Sequence, residues 1–193
     1  MRTLVHAFLL CLLMPTAVAL SQDKPPAATV PAASPADPLS TFNKMVYGGV
    51  KGILLRSAEK MPEENYAFKP TDAVRSYGQI IGHVADSQYF FCSLALGEAN
   101  PALQIEKTKT SKADLIAALK GAFAYCDKAY SGMTDASATQ SVTLFGGPTP
   151  KLGVLEVNLM HSMEHYGNLV TYMRMKNIVP PSSEPAVQSP PKK

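Results

Sequence analysis

The sequence predicts an all-α protein: a four-helix bundle with a long link between its third and fourth helices. Four segments repeat apolar residues at helical spacing, and each is bounded by capping residues, glycine or proline. Between a Pro- and Ala-rich beginning and a Pro-rich end lie about 140 residues, which suits one domain with a single core. The predicted domain spans residues 39–179.

The first helix is predicted from Leu39 to Lys60. Asp37 supplies an N-cap, Pro38 suits the first helical position, and Pro62 follows the end. The apolar stripe expected to face the core consists of Leu39, Phe42, Val46, Val50, Ile53 and Leu54.

The second helix is predicted from Tyr77 to Leu96 and the third from Lys112 to Ser131. Both begin after a serine with a polar partner three residues later, and both are followed by glycine. The expected core stripes are Ile80, Val84, Phe91 and Leu94 in the second helix, and Leu115, Leu119, Ala122, Phe123 and Cys126 in the third.

The link from about 133 to 148 is long enough to run the length of a bundle, and it contains a segment suited to a hairpin-like turn. The fourth helix is predicted from Lys151 to Lys176. At about 100° per residue, one largely apolar face lies between about −40° and +80° of His161 and should be buried. This face carries Val154, Val157, Asn158, His165, Leu169 and Tyr172.

Both ends of the chain are expected to lie outside the folded domain. Residues 1–19 have the pattern of a secretory signal peptide: Arg2, a short apolar run interrupted by Pro15, and Ala-Val-Ala ending at Ala19. Residues 20–38 are predicted to be a flexible tether and 180–193 a disordered tail. We therefore expect export, most simply to a bacterial periplasm, with no membrane attachment after cleavage.

The positions of the histidines predict a metal site. The chain has four, of which His6 lies in the predicted signal peptide. His161 and His165 are four residues apart and share one helix face, while His83 lies about 60° from the centre of the second helix's core stripe. Three protein ligands with an open position are typical of catalytic metal sites. We predict that His83, His161 and His165 bind one divalent metal: Zn, Ni, Fe or Mn.

Other interpretations of these histidines fit the sequence less well. Ordinary core histidines would require two buried imidazoles without a partner cation, which is unfavourable. The segment from His161 to His165 matches the inverzincin pattern, but the sole glutamate after it is Glu184, in the Pro-rich tail. A ferritin-like di-metal site requires Glu-x-x-His segments, which the sequence lacks.

Further candidates surround the predicted site. Glu164 is the candidate catalytic residue, as a base or as an acceptor for a ligand, although a solvated helix position explains it equally well. Asp86 could orient the ring of His83 from three residues away or lie at the surface. Asn158 and Tyr172 could line a pocket on the histidine face, or Tyr172 could pack in the core.

The cysteines after the signal peptide, Cys92 and Cys126, are predicted to be two buried thiols. An oxidising compartment permits a disulfide. If the second and third helices were antiparallel with a short link, however, the two would lie about 15 Å apart along the axis, at 1.5 Å per residue. A disulfide requires Cα atoms within about 7 Å.

Two segments resemble the DinB-like family. Arg75–Ser87 (RSYGQIIGHVADS) is similar to the family's second helix, and Leu159–Arg174 (LMHSMEHYGNLVTYMR) to its last. Ile178–Ser183 (IVPPSS) fits one branch, so the likeness covers about 39–183. The resemblance implies a four-helix bundle that holds a divalent metal through three histidines, which correspond here to His83, His161 and His165.

The resemblance also suggests a range of activities. Relatives include metal-dependent thiol transferases that use small thiol cofactors, a maleylpyruvate isomerase type, and many proteins of unknown activity; many are dimers. The predicted signal peptide departs from the pattern of this family, because transfer to small thiols is mainly cytosolic chemistry.

Two hypotheses for function follow. The first is an exported metal-dependent enzyme, a hydrolase or a thiol transferase, acting on an unidentified small molecule. The alternative is a non-catalytic metal-binding or interaction bundle, and a homodimer is possible for either. Nucleic acid is not an expected partner, because the formal net charge is only +3 and no basic run is interleaved with aromatic residues.

Overall fold

The computed structural model describes residues 36–101 and 103–185, which contain a bundle of four long helices. In chain order the helices are α1 (Pro38–Lys60), α2 (Tyr77–Leu96), α3 (Ile105–Thr108), α4 (Lys112–Gly132), α5 (Asp135–Ala138) and α6 (Lys151–Met175). The four long helices, α1, α2, α4 and α6, match the predicted ones within one residue at each end. The predicted signal peptide, the tether up to residue 35 and the tail from residue 186 lie outside the described residues.

Local sequence signals account for the helix ends. Ser76 accepts the backbone N–H of Gln79, whose side chain accepts that of Ser76 in return, so the predicted capping box begins α2. Gly97 ends α2 with a left-handed φ of 73°, a conformation that glycine adopts without steric strain.

Side-chain contacts define the direction of each helix. α1 and α2 are antiparallel, since the Tyr77 hydroxyl at the start of α2 bonds the Ser57 carbonyl near the end of α1. α2 and α6 are also antiparallel, because Gln88 contacts Asn158 while the earlier residue His83 contacts His161.

α2 and α4 run in the same direction. A Cβ on Gly78 would touch Leu115 near the starts of both helices, and Cys92 meets Cys126 farther along. The reason is that the link after α2 returns along that helix: the backbone N–H groups of Ile105 and Glu106 in α3 bond the Asp86 side chain in the middle of α2.

This returning link makes the prediction of two free thiols wrong. Cys92 and Cys126 are both buried, as expected, but they form a disulfide with a Cα–Cα distance of 5.3 Å. The estimated separation of about 15 Å assumed antiparallel helices joined by a short link. Because α4 starts beside the start of α2, the two cysteines lie at the same level of the bundle.

The predicted stripe of α1 is wrong at its first turn. Leu39 and Phe42 are 61% and 62% exposed, whereas Ser40 and Asn43 are buried. Asp135 explains the difference, because its carboxylate accepts the backbone N–H groups of Leu39 and Ser40 and the hydroxyl of Ser40. These bonds turn the polar side of the first turn inward. Val50 and Leu54 are buried as predicted.

The link before α6 contains the hairpin-like turn that the sequence suggested. β1 (Ser141–Leu144) pairs antiparallel with β2 (Gly147–Pro150). Leu144 is buried against Phe91 and Val154, so this small apolar cluster fixes the hairpin on α2 and α6.

The described part of the predicted tail packs on the bundle. Residues Pro181–Ser183 form one 3-10 turn, Pro181 is buried, and the Ser182 backbone N–H bonds the Tyr166 hydroxyl. The folded region therefore continues beyond residue 179. In the part of the chain that the structure describes, no helix has both the length and the apolar character needed to cross a bilayer.

Candidate metal centre

The predicted convergence of three imidazoles is confirmed. The Nε2 atom of His161 lies 3.1 Å from Nε2 of His83 and 3.1 Å from Nε2 of His165. One ligand nitrogen from each ring lies within 4.8 Å of the other two. Two nitrogen ligands about 2.05 Å from a tetrahedral cation would be about 3.3 Å apart, so both close pairs suit coordination of one ion.

The 3.6-residue period of α6 and its antiparallel packing against α2 bring these rings together. His161 and His165 lie one turn apart on the inward face of α6, where His165 is buried and His161 half-buried. His83 faces them from the antiparallel helix α2.

Glu106 orients His83, a role that sequence reasoning missed. Its Oε2 lies 2.9 Å from His83 Nδ1, and its Oε1 lies 2.8 Å from Arg75 Nε. Burial favours the neutral form of Glu106, but its contacts with Arg75 and His83 outweigh burial and lower its pKa below the ordinary value. Glu106 is therefore an ionised acceptor for the His83 ring.

Asp86, which was expected either to orient His83 or to lie at the surface, instead holds the link after α2 in place. It bonds the backbone N–H groups of Ile105 and Glu106 and so holds α3 against α2. Gly82 permits this approach, because a Cβ there would lie only 2.7 Å from Cα of Glu106. The glycine just before His83 was the sequence signal that another backbone passes close to this point.

Hydrogen bonds among the rings do not complete this arrangement. Glu106 takes the Nδ1–H of His83, which leaves a lone pair on His83 Nε2. One proton on His161 Nε2 cannot serve both neighbouring nitrogens, and the buried Nδ1 atoms of His161 and His165 have no partner among the described residues. A cation that accepts three Nε2 lone pairs fits this donor set.

The protonation states favour metal binding as well. Burial, followed by the charges of His165 and His83, lowers the pKa of His161 from 6.5 to about 4. Burial is also the largest cause that lowers the pKa of His165. Both rings are therefore neutral at neutral pH, the form that donates a lone pair to a metal.

Two clefts reach the histidines. We call the first, of about 630 Å³, the polar cleft; Lys69, Arg75, Glu106, Glu164, His165 and Tyr172 line it. We call the second, of about 440 Å³, the aromatic cleft; His83, Phe90, Phe91, Glu106, Phe145 and His161 line it. The polar cleft therefore reaches His165, the aromatic cleft reaches His83 and His161, and Glu106 lines both.

Of the other candidate residues, Glu164 and Tyr172 line the polar cleft, whereas Asn158 lies in the core. Glu164 is exposed at the rim of the polar cleft. Tyr172 lines the same cleft, and its hydroxyl bonds the Arg75 carbonyl. Asn158 does not line either cleft; it is buried and bonded to Gln88 and Tyr130.

Together the fold and the site define a helical bundle with a three-imidazole centre between two antiparallel helices. The sequence pattern of the DinB superfamily matches residues 51–169, more than half of the 193-residue chain. The chain belongs to the DinB superfamily.

Individual relatives are distant in sequence. The uncharacterized protein YjoA of Bacillus subtilis (strain 168) is 24% identical over 123 residues, which cover 61% of this chain and 77% of YjoA. A crystal structure of a DinB-like protein from Bacillus cereus ATCC 10987 aligns with a TM-score of 0.65 at 15% identity, covering 72% of this chain and 93% of that one. The crystal structure of YjoA gives 0.58 at 20% identity, covering 70% and 92%. These likenesses support the fold.

Proposed function

We propose that this protein is an exported metalloenzyme in which His83, His161 and His165 hold one divalent cation for hydrolysis or thiol transfer. The convergence of the three Nε2 atoms beside two clefts is the observation that supports the proposal. A bound cation, Zn²⁺, Ni²⁺, Fe²⁺ or Mn²⁺, would lower the pKa of a water or thiol and polarise a substrate carbonyl.

The protein's own side chains have separate roles in this proposal. The imidazoles of His161 and His165 bind as neutral rings, and Glu106 keeps a proton on His83 Nδ1 so that Nε2 faces the centre. Glu164, beside His165 on the rim of the polar cleft, is the candidate base that takes a proton from a molecule bound there. Arg75 lines the same cleft, and its pairing with Glu106 keeps that carboxylate ionised.

Metal analysis tests the binding part of the proposal. The protein is stripped with chelator, dialysed separately against each of the four cations at neutral pH, and analysed for bound metal. We expect one equivalent of at least one cation and a higher melting temperature, because the cation binds the folded state. Absence of stoichiometric metal after all four reloadings would refute the metal centre.

A substrate screen tests the catalytic part. Esters and thiol acceptors are assayed with and without chelator, and Glu164→Gln is the matched variant. We expect chelator-sensitive turnover in the parent protein, and reduced turnover with full metal content in Glu164→Gln. Stoichiometric metal without any turnover would instead identify a non-catalytic metal-binding bundle.

Export is supported by the N-terminal pattern of residues 1–19 and by the disulfide between Cys92 and Cys126. Expression of the full chain in a Gram-negative host, followed by fractionation and mass spectrometry, tests it. We expect a periplasmic protein that begins after Ala19 and has no thiol that reacts under denaturing conditions. A cytoplasmic protein with an intact N-terminus and reactive thiols would contradict export.

A further inference from the structure

An aromatic wall leads from the hairpin tip to the candidate metal centre. Phe90 and Phe91 on α2 and Phe145 on the hairpin line the aromatic cleft together with His83 and His161. The Phe91 ring is buried, and its centroid lies 5.9 Å from that of His161. The proposed hydrolase or transferase chemistry gives this wall no role.

The folding of the hairpin does not explain why residue 145 is a phenylalanine. Its side chain is 79% exposed. Phe145 and Gly146 form a two-residue hairpin loop in which both φ angles are positive, 51° and 83°. Loops of this kind favour Asn-Gly, and a bulky residue at positive φ is strained. Neither burial nor backbone preference therefore accounts for a phenylalanine here.

The hairpin nevertheless holds this ring in a defined place. Leu144, the preceding residue, is buried in a cluster with Phe91 and Val154. The centroid of the Phe145 ring lies 6.3 Å from that of Phe90, in a stacked arrangement, and 6.3 Å from that of Phe91. The ring thus extends the cleft wall while most of its surface stays open to a ligand.

We propose that the aromatic cleft binds the aromatic ring of a substrate whose carbonyl or thiol group reaches the metal centre. The inference rests on the proposed function, because the three histidines form one end of the cleft. Aromatic rings pack favourably edge-to-face or offset, with centroids about 4.5–7 Å apart. A cleft of about 440 Å³ is within the range of small-molecule sites. The substrate class is a small aromatic compound, and Phe145 is a specificity-determining residue.

Hydroxamates provide probes because they share one metal-binding group and differ in the attached group. The protein is loaded with one equivalent of a cation that the metal analysis shows to bind, and the affinities of acetohydroxamate, cyclohexanehydroxamate and benzohydroxamate are measured by calorimetry. We expect benzohydroxamate to bind at least about tenfold more tightly than acetohydroxamate, because its ring leaves water. We expect it to bind about threefold more tightly than cyclohexanehydroxamate, because ring–ring geometry adds to burial.

Phe145→Asn is the test variant, since asparagine suits the first position of the loop and should preserve the hairpin. We expect it to reduce the preference for benzohydroxamate over acetohydroxamate by about fivefold while the melting temperature is maintained. Phe42→Ala is the matched control: it removes another exposed phenylalanine, from α1 and outside the cleft, and should leave the preference unchanged.

Each failure has a distinct result. Equal affinity for the three hydroxamates, or a Phe145→Asn protein with the parent's preference, would overturn the aromatic site while the metal centre stands. Equal loss of affinity for all three hydroxamates in Phe145→Asn would also overturn the aromatic site. The Phe145 ring would then affect the metal centre rather than contact the ring of the ligand. If no hydroxamate binds to protein shown to carry the metal, or if none of the four cations binds, the proposed function fails and the inference fails with it.

Discussion

Two neighbouring polar layers between α2 and α6 differ in whether their side chains complete each other's hydrogen bonds. In the amide layer, Gln88 and Asn158 exchange two bonds of 3.0 and 2.9 Å, and Ser162 and Tyr130 add further partners. In the histidine layer nearby, three Nε2 atoms face one another and two buried Nδ1 atoms lack partners among the described residues.

A structural polar layer and a binding site in the same core differ in whether the protein itself completes their hydrogen bonds. Both layers are built on the same pair of helices and both remove polar atoms from water. The amide layer is complete within the protein, so its contribution is structural. The histidine layer concentrates lone pairs of one kind, and such a donor set suits a cation.

The largest effect is expected from His161→Ala. This ring lies between the other two, so its loss removes both close nitrogen pairs. We expect bound metal to fall below about one tenth of an equivalent after dialysis, and the metal-dependent rise in melting temperature to disappear. Elemental analysis and thermal melts with and without metal measure this. Retention of a full equivalent would show that the metal binds elsewhere.

Asn158→Ala should break the amide layer and leave the histidine layer functional. Loss of the Asn158 amide leaves the buried amide oxygen of Gln88 without its hydrogen bond, which costs about 1–3 kcal/mol of unfolding free energy. Urea unfolding of the metal-free variant and of the metal-free parent measures the difference. Bound metal should remain at one equivalent, and a variant that lost its metal would contradict the separation of the two layers.

Glu106→Gln should weaken the histidine layer without removing a ligand. In the variant a neutral amide replaces the charged carboxylate that accepts the proton of His83 Nδ1. Metal affinity should therefore fall about tenfold. Competition with a chelator of known affinity measures it. Glu98→Gln is the control, because Glu98 bonds the Tyr125 hydroxyl outside both clefts and should leave metal affinity unchanged.

A further effect is a pH dependence of the metal-free protein. The folded-state pKa of His161, about 4, is below the 6.5 of an ordinary histidine. Between these values the unfolded chain binds more protons, so the free energy of unfolding falls as the pH is lowered from about 6.5 to about 4. Thermal melts across this range should show a smaller pH dependence in His161→Ala than in the parent. Equal dependence in both proteins would exclude this origin.

The sequence predicted the helices and the histidine centre well because both depend on short-range patterns. Capping residues and the 3.6-residue period act within a few residues, so the four long helices could be bounded without a structure. The pairing of His161 with His165 has the same origin. The prediction that His83 joins them relied on the scarcity of histidine, the cost of burying unpaired rings and the resemblance to a family.

The errors concern residues whose surroundings come from distant parts of the chain. Leu39 and Phe42 have the helical spacing of core residues, but Asp135 caps the first turn of α1 and leaves them exposed. Glu106 lies in a segment without a clear pattern, and the return of the chain along α2 carries it to His83.

Local sequence patterns set where the long helices begin and end, and they place two imidazoles on one helix face. Backbone geometry sets these features locally, whatever the helices pack against. Long-range packing makes α2 and α4 parallel, brings Cys92 to Cys126 and places Glu106 beside His83. Those contacts depend on the path of the link between α2 and α4, whose direction is set by packing and hydrogen bonds with α2 rather than by the link's own residues.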